Sequence, residues 1–163
     1  MPKVTFASNR DAPIRPTLRH VDLDKLPVFE ELNRLDCLKL LAAVPVGRVA
    51  LTARALPVVL PVNFALLDGD IVWRSSQGTK LNAAAAGFVV AFEADDYLPE
   101  RREGWSVMVQ GLAHVIVAED ELELARSLPL ESWALDGVAD RYVRLRPNVM
   151  TGKRIRHGAR RCG

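Results

Sequence analysis

A long apolar run, Pro57–Leu67, meets Asp68-Gly69 and then a second run, Asp70–Ser75. Asp-Gly between two β-type segments is a strong two-residue hairpin signal, because both loop residues must adopt positive φ and this pair tolerates it. The hairpin commits the middle of the chain to antiparallel pairing. Pro61 interrupts the first run, so that strand is predicted to lie at an edge or to carry a bulge. Around the hairpin the pattern stays β-rich. Arg48–Ala53, Val89–Glu93 and Trp105–Val117 read as strands, with Gly111 a bulge. Tyr142–Leu145 and Val149–Ile155 form a last strand region broken by Pro147, and Asp95–Gly104 reads as a polar loop.

Short helices punctuate the strands. Asn33 caps the first, paired with Asp36 three residues on, and Pro45 and Gly47 end it. Its expected buried face is Leu35, Leu38, Leu41 and Ala42, with Leu40 and Val44 broadening it. A second, Ala-rich helix spans Thr79–Ala86 and closes at Gly87. A third spans Glu119–Leu128, with Leu122, Leu124, Ala125 and Leu128 facing inward. The expectation is an α+β fold, mainly β: a small antiparallel barrel with short flanking helices. Residues 1–27, with Pro2, Pro13, Pro16 and Pro27, read as an extended arm, 28–155 as the domain, and 156–163 as a basic tail.

Charge narrows the partners. Residues 153–163 hold five Lys/Arg and no acid, and residues 1–20 hold four Lys/Arg and one acid, so the segment between them is acidic on balance. A nucleic-acid-binding domain would carry its basic stripe on folded surface, so none is expected. The chain has two cysteines, Cys37 in an apolar helical run and Cys162 in the tail. That is no disulfide framework, and Cys37 reads as a small core residue, which together suggest a cytoplasmic protein. No apolar run is long enough for a bilayer, so no membrane partner is expected.

The chemistry-bearing stretch is Asp-Ile-Val-Trp-Arg-Ser-Ser-Gln-Gly-Thr-Lys, residues 70–80. The returning strand delivers Arg74, Ser75 and Ser76 to a turn at Gly78, and Thr79 and Lys80 open the Ala-rich helix. Two cations, three hydroxyls and a helix N-terminus within a few residues suit a phosphate dianion. Elsewhere the sequence lacks a Cys-x-x-Cys pair, a His-Glu-x-x-His helix, a Gly-x-Ser-x-Gly elbow and a Walker loop. His20, His114 and His157 are far apart, and no metal site is expected. With no acid, base or nucleophile identified, a bound cofactor would carry any hard chemistry.

Five blocks in order resemble the pyridoxamine 5′-phosphate oxidase-like, FMN-binding split-barrel superfamily, in its short actinobacterial-type branch. They are Cys37–Ala50 (Cys-Leu-Lys-Leu-Leu…Val-Gly-Arg-Val-Ala), Leu56–Phe64, Trp73–Leu81, Gly104–Gly111 (Gly-Trp-Ser-Val-Met-Val-Gln-Gly) and Arg144–Ile155. The resemblance implies a six-stranded antiparallel split barrel, homodimeric, with FMN sites at the subunit interface. It implies that Arg74 and Ser75, with neighbouring Ser76, grip the flavin phosphate, and that Thr79 and Lys80 add a hydroxyl and a cation. It implies further that Pro61, Val62, Asn63 and Phe64 run beneath the flavin ring and that Trp105 and Ser106 reach the ring or ribityl chain. The implied activity is reduction of a small acceptor by a nicotinamide donor. Two alternatives stand beside it: the deazaflavin F420, whose acidic tail would suit Arg48, Arg101 or Arg102, and a flavin-binding protein that stores or senses without turnover. True pyridoxamine phosphate oxidases resemble one another in a C-terminal Arg-x-His and a late tryptophan. Here Arg156 and His157 are adjacent and the end has no tryptophan, which argues against pyridoxal phosphate synthesis.

Overall fold

The computed structural model describes residues 27–53, 55–76, 87–130 and 140–157. Residues 1–26 of the expected 1–27 arm, the Thr79–Ala86 helix, and residues 158–163 of the expected 156–163 tail lie outside the described residues. In chain order the elements are β1 (Pro27–Leu32), α1 (Arg34–Leu41), β2 (Val46–Ala53), β3 (Leu56–Leu67), β4 (Asp70–Ser76), β5 (Phe88–Leu98), β6 (Glu103–Val115), α2 (Glu119–Arg126) and β7 (Asp140–His157). Among the described residues no helix is long and apolar enough to cross a membrane.

All pairings are antiparallel, in the order β1-β7-β4-β3-β2-β5-β6, and β6 also pairs with β7. The last pairing closes β2–β7 into a barrel of the split-barrel type. The sheet therefore has seven strands, not the six expected. The extra one, β1, adds to the outer edge of β7, pairing Pro27–Leu32 with Gly152–His157. Its residues are nearly all exposed, so no inward-outward alternation marks it in the sequence. The length of β7 makes the closure possible. It pairs with β4 through residues 140–145, with β6 through 143–155 and with β1 through 152–157.

The hairpin forms as expected. Asp68 (φ 54°) and Gly69 (φ 84°) are both left-handed, a type I′ turn whose twist matches the strands it joins. At α1 the Asn33 side chain accepts from the Asp36 N–H at 3.0 Å, a side-chain N-cap. The buried face of α1 is Cys37 and Leu41, not the Leu35 and Ala42 expected: Leu35 is 69% exposed and Ala42 is exposed. The helix packs against β6 and β7, where Cys37 and Leu41 enter the core and Leu40 packs against it. In α2, Ala125 is buried and Leu122 and Leu128 pack beside it, while Leu124 points to solvent.

Two further expectations fail for one reason. Asp95–Gly104 is not a polar loop, because β5 continues to Leu98 and β6 begins at Glu103. Pro147 does not break the last strand, because β7 runs unbroken from Asp140 to His157. In both places cross-strand hydrogen bonds to β6 outweigh local polarity or the missing donor. Pro147 sits opposite Gly111 where the β6–β7 register shifts, which is where a proline is tolerated.

Alternation packs the barrel. Val49 and Leu51, Val62 and Phe64, Ile71 and Trp73, Val90, Phe92 and Ala94, Val107 and Val109, and Val143 and Leu145 all point inward. Phe64 meets Phe92 edge to face at 4.8 Å between centroids. On the outside of β4 a second cluster, Val72, Ile116, Ala125 and Leu130, forms beneath α2. On the outer face of β3-β2-β5-β6-β7, Val59, Val89, Met108, Leu112 and Val149 share one side by register and are 45–72% exposed, with the charged Arg48, Glu93 and Asp95 on the same side.

Candidate functional site at the β3–β4 fork

β3 and β4 pair only from Leu67↔Asp70 to Phe64↔Trp73, then part. Beyond that point β3 stays with β2 through residues 56–63, while β4 follows β7 through Ile71–Ser76. Asn63 and Arg74 stand at the fork. The Phe64 N–H bonds to the Pro45 carbonyl at 3.1 Å, on the β2 side. Backbone direction alternates, so the nitrogen of residue 61 falls on the opposite edge, where β4 has left. That is why the strand accepts Pro61. The expectation of an edge strand holds for this half of β3 only, since Phe64–Leu67 is central.

Arg74 leaves β4 on its outer face, the face of Val72. Its Nη1 donates to the Leu130 carbonyl at 3.3 Å, and its Cζ lies 5.9 Å from the centroid of the Tyr142 ring. Tyr142 is its register partner on β7. Ser75, one residue on, points the other way and is buried at 6% exposure. Strand alternation therefore separates the Arg74 and Ser75 side chains onto opposite faces. Ser76 ends β4 against Asp140. Thr79 and Lys80, the other half of the expected anion cradle, lie outside the described residues. On β3, Val62 and Phe64 are buried in the barrel, Pro61 is exposed, and Asn63 is half-buried on the face of Arg74.

Trp105 and Ser106 are elsewhere. They pair with Arg154 and Lys153 on β7, twelve residues along from Tyr142, which is roughly 40 Å of strand. Along β7 they are far from Arg74. They line a concavity of about 320 Å³ on the outer face, with Phe29, Tyr97, Asp96 and Lys153. A second of about 200 Å³ opens on the other side of the same strands, between Trp105, Leu98 and Arg154. Nearby, Arg48 is already committed: its Nη1 reaches Asp95 at 2.6 Å and Glu93 at 3.0 Å. Its hydrogen bond to Asp95, then that to Glu93, pushes its pKa above the usual arginine range. This ion-pair triad offers an acidic ligand less attraction than an isolated arginine would.

The sequence reading did not single out Tyr142 or Leu130, two of the groups that touch Arg74. No local signal marks them, because their roles come from β7 register and from the turn after α2.

Several known proteins share this architecture. The family profile for pyridoxamine 5′-phosphate oxidase matches residues 33–154. A Mycobacterium tuberculosis relative, the uncharacterised protein Rv0080, is 40% identical over 130 residues, covering 77% of this chain and 84% of that protein. Among solved structures, an FAD binding protein from Mycobacterium smegmatis is similar with a TM-score of 0.71 and 34% identity, over 79% of this chain and 100% of that one. A conserved Corynebacterium diphtheriae protein of unknown function, DIP1874, is similar with a TM-score of 0.65 and 26% identity, over 77% and 96% of the two chains. With the closed antiparallel barrel and a profile match running from the α1 cap to the end of β7, this chain belongs to the pyridoxamine 5′-phosphate oxidase family of split-barrel proteins.

Proposed function

We propose that this chain is a flavoprotein that holds a flavin nucleotide by its phosphate at the β3–β4 fork. The observation carrying the reading is Arg74, a guanidinium fixed against β7 where the two strands separate. A charge-assisted hydrogen bond contributes about 1.5–3 kcal/mol. The edge of β3 at Pro61–Asn63 offers a flat surface for an apolar ring, and Thr79 and Lys80, just beyond β4 in sequence, add to a charge set for a phosphate. FMN is the cofactor that the resemblance to the split-barrel family suggests. The similar Mycobacterium smegmatis protein is named for FAD, so FAD stands beside it, with F420 as the deazaflavin alternative.

The flavin, when bound, supplies hydride or electron-pair chemistry. The protein's part is to bind the phosphate, orient the ring along the β3 edge and limit water there. The activity proposed is nicotinamide-linked reduction of a small acceptor, in a cytoplasmic homodimer. Two observations support the dimer: the exposed apolar residues of the outer face, and the separation of Trp105 and Ser106 from Arg74, which a partner subunit would bridge.

The test is the absorbance spectrum of the purified protein and the mass of the molecule released on denaturation. A flavin spectrum is expected, with Arg74→Ala weakening its affinity about ten- to a hundredfold. A protein that binds none of FMN, FAD or F420 would end the proposal. Rapid anaerobic reduction by NADH or NADPH supports turnover, and a bound but inert flavin favours storage or sensing.

A further inference from the structure

We infer that Tyr142, with the Leu130 carbonyl, is the positioning element for the Arg74 guanidinium, so that discrimination for a phosphorylated ligand depends on a residue that never touches the phosphate. The inference rests on the reading of Arg74 as the phosphate grip. Its geometry is independent of that reading.

A guanidinium is planar, with five N–H donors in a fixed fork, and it recognises an anion well only when that plane is set. Arg74 sits on four rotatable side-chain bonds and would otherwise give up much rotamer freedom on binding. Two contacts remove that freedom in advance. The Tyr142 ring lies 5.9 Å from the guanidinium carbon, within cation–π range. The Leu130 carbonyl takes a hydrogen bond from Nη1 at 3.3 Å.

Both contacts are themselves anchored. Tyr142 and Arg74 are directly opposed on β7 and β4, and the Tyr142 carbonyl accepts from the Ile116 N–H at 2.9 Å. Leu130 is 8% exposed, packed with Val72, Ile116 and Ala125. Its N–H donates to the Leu128 carbonyl at 2.7 Å, and the Leu128 N–H donates to the Ala125 carbonyl at 3.3 Å. The turn that ends α2 therefore presents one carbonyl to one arginine, and the small cluster beneath α2 is the base on which that arginine is held. The same cluster gives the helix a role beyond covering apolar surface on β4.

The test compares FMN with riboflavin, which carries the same ring and no phosphate. Affinities are measured by fluorescence quenching for wild type, Arg74→Ala, Tyr142→Phe and Tyr142→Leu, with thermal unfolding as the check on folding. Tyr142→Phe keeps the ring face and is expected to bind FMN like wild type. Tyr142→Leu keeps apolar packing and loses the ring face, so FMN affinity is expected to fall about five- to tenfold with riboflavin affinity unchanged. Equal loss for both ligands would mean a merely structural role, and no loss for FMN would mean no role. Either overturns the inference. Failure of the underlying reading looks different: Arg74→Ala itself would leave the preference for FMN over riboflavin intact.

Discussion

Arg144 and Asp70 form a buried ion pair, Nε to Oδ2 at 2.7 Å, with side chains 11% and 12% exposed. It ties the first residue of β4 to β7. Glu121 of α2 lies 3.7 Å from the same guanidinium, and Arg146 approaches Asp70 at 3.8 Å. One cluster thus fastens the hairpin, the long strand and the helix that covers Arg74's support. Removing one member leaves a buried charge without its partner, which costs far more than an exposed pair is worth. Asp70→Asn is expected to destabilise the fold by about 3 kcal/mol, read from urea unfolding midpoints. The exposed Arg126–Glu119 pair serves as control, and Glu119→Gln should leave stability nearly unchanged. Equal effects would refute the argument.

Gly111 sits at the β6–β7 bulge, where a Cβ would run into the backbone carbonyl of Arg146. Neither partner is a side chain that can swing aside. Gly111→Ala is expected to cost about 1–3 kcal/mol or to shift the register, measurable as a lower midpoint and by amide exchange along β7. An unchanged midpoint and exchange pattern would show that the strands have slack here.

Ala55, in the turn joining β2 and β3, has φ 64°. A left-handed alanine is strained by about 1–2 kcal/mol, only partly offset by the extra unfolded-state freedom of glycine. Ala55→Gly should therefore stabilise the protein by about 0.5–1 kcal/mol without altering ligand binding. A neutral or lower midpoint would contradict this.

Burial, and secondarily the Asp36 carboxylate, pushes the Cys37 thiol pKa up. A group whose folded pKa exceeds its unfolded one supports folding fully below the unfolded value and loses that support as pH rises through the folded one. Stability should decline as pH rises past the ordinary thiol value of about 8.5, and Cys37→Ala should flatten that slope whatever its absolute stability. In a Cys162→Ser background, native Cys37 should also react slowly with a maleimide. Fast labelling, or an unchanged slope in Cys37→Ala, would show the thiol is not held neutral by burial.

The outer-face dimer is checked by size-exclusion chromatography with light scattering. Leu112→Glu, at a position 50% exposed in one subunit, should convert dimer to monomer and leave the monomer folded. A wild-type monomer would remove the interface from the proposal.

What the residues alone settled was local and chemical. Asp68-Gly69 required a I′ hairpin because both positions need positive φ. Asn33 and Asp36 set the start of α1, Gly111 marked the bulge, and Cys37 read as core. Together with the ordered blocks from Cys37 to Ile155, these made the family and the barrel legible. Tertiary structure decided whatever depends on a distant neighbour. Pro27–Leu32 became a strand only because β7 had a free edge. Asp95–Leu98 stayed extended because β6 pairs with it, and Pro147 was absorbed because the β6–β7 register shifts beside it. The same holds at the site. The sequence placed Arg74 beside Ser75, yet strand pleating sent them to opposite faces. It gave no sign of Tyr142, which reaches Arg74 only through the β4–β7 register. Sequence encodes backbone preference within a few residues, whereas register and strand adjacency come from the closure of the whole sheet.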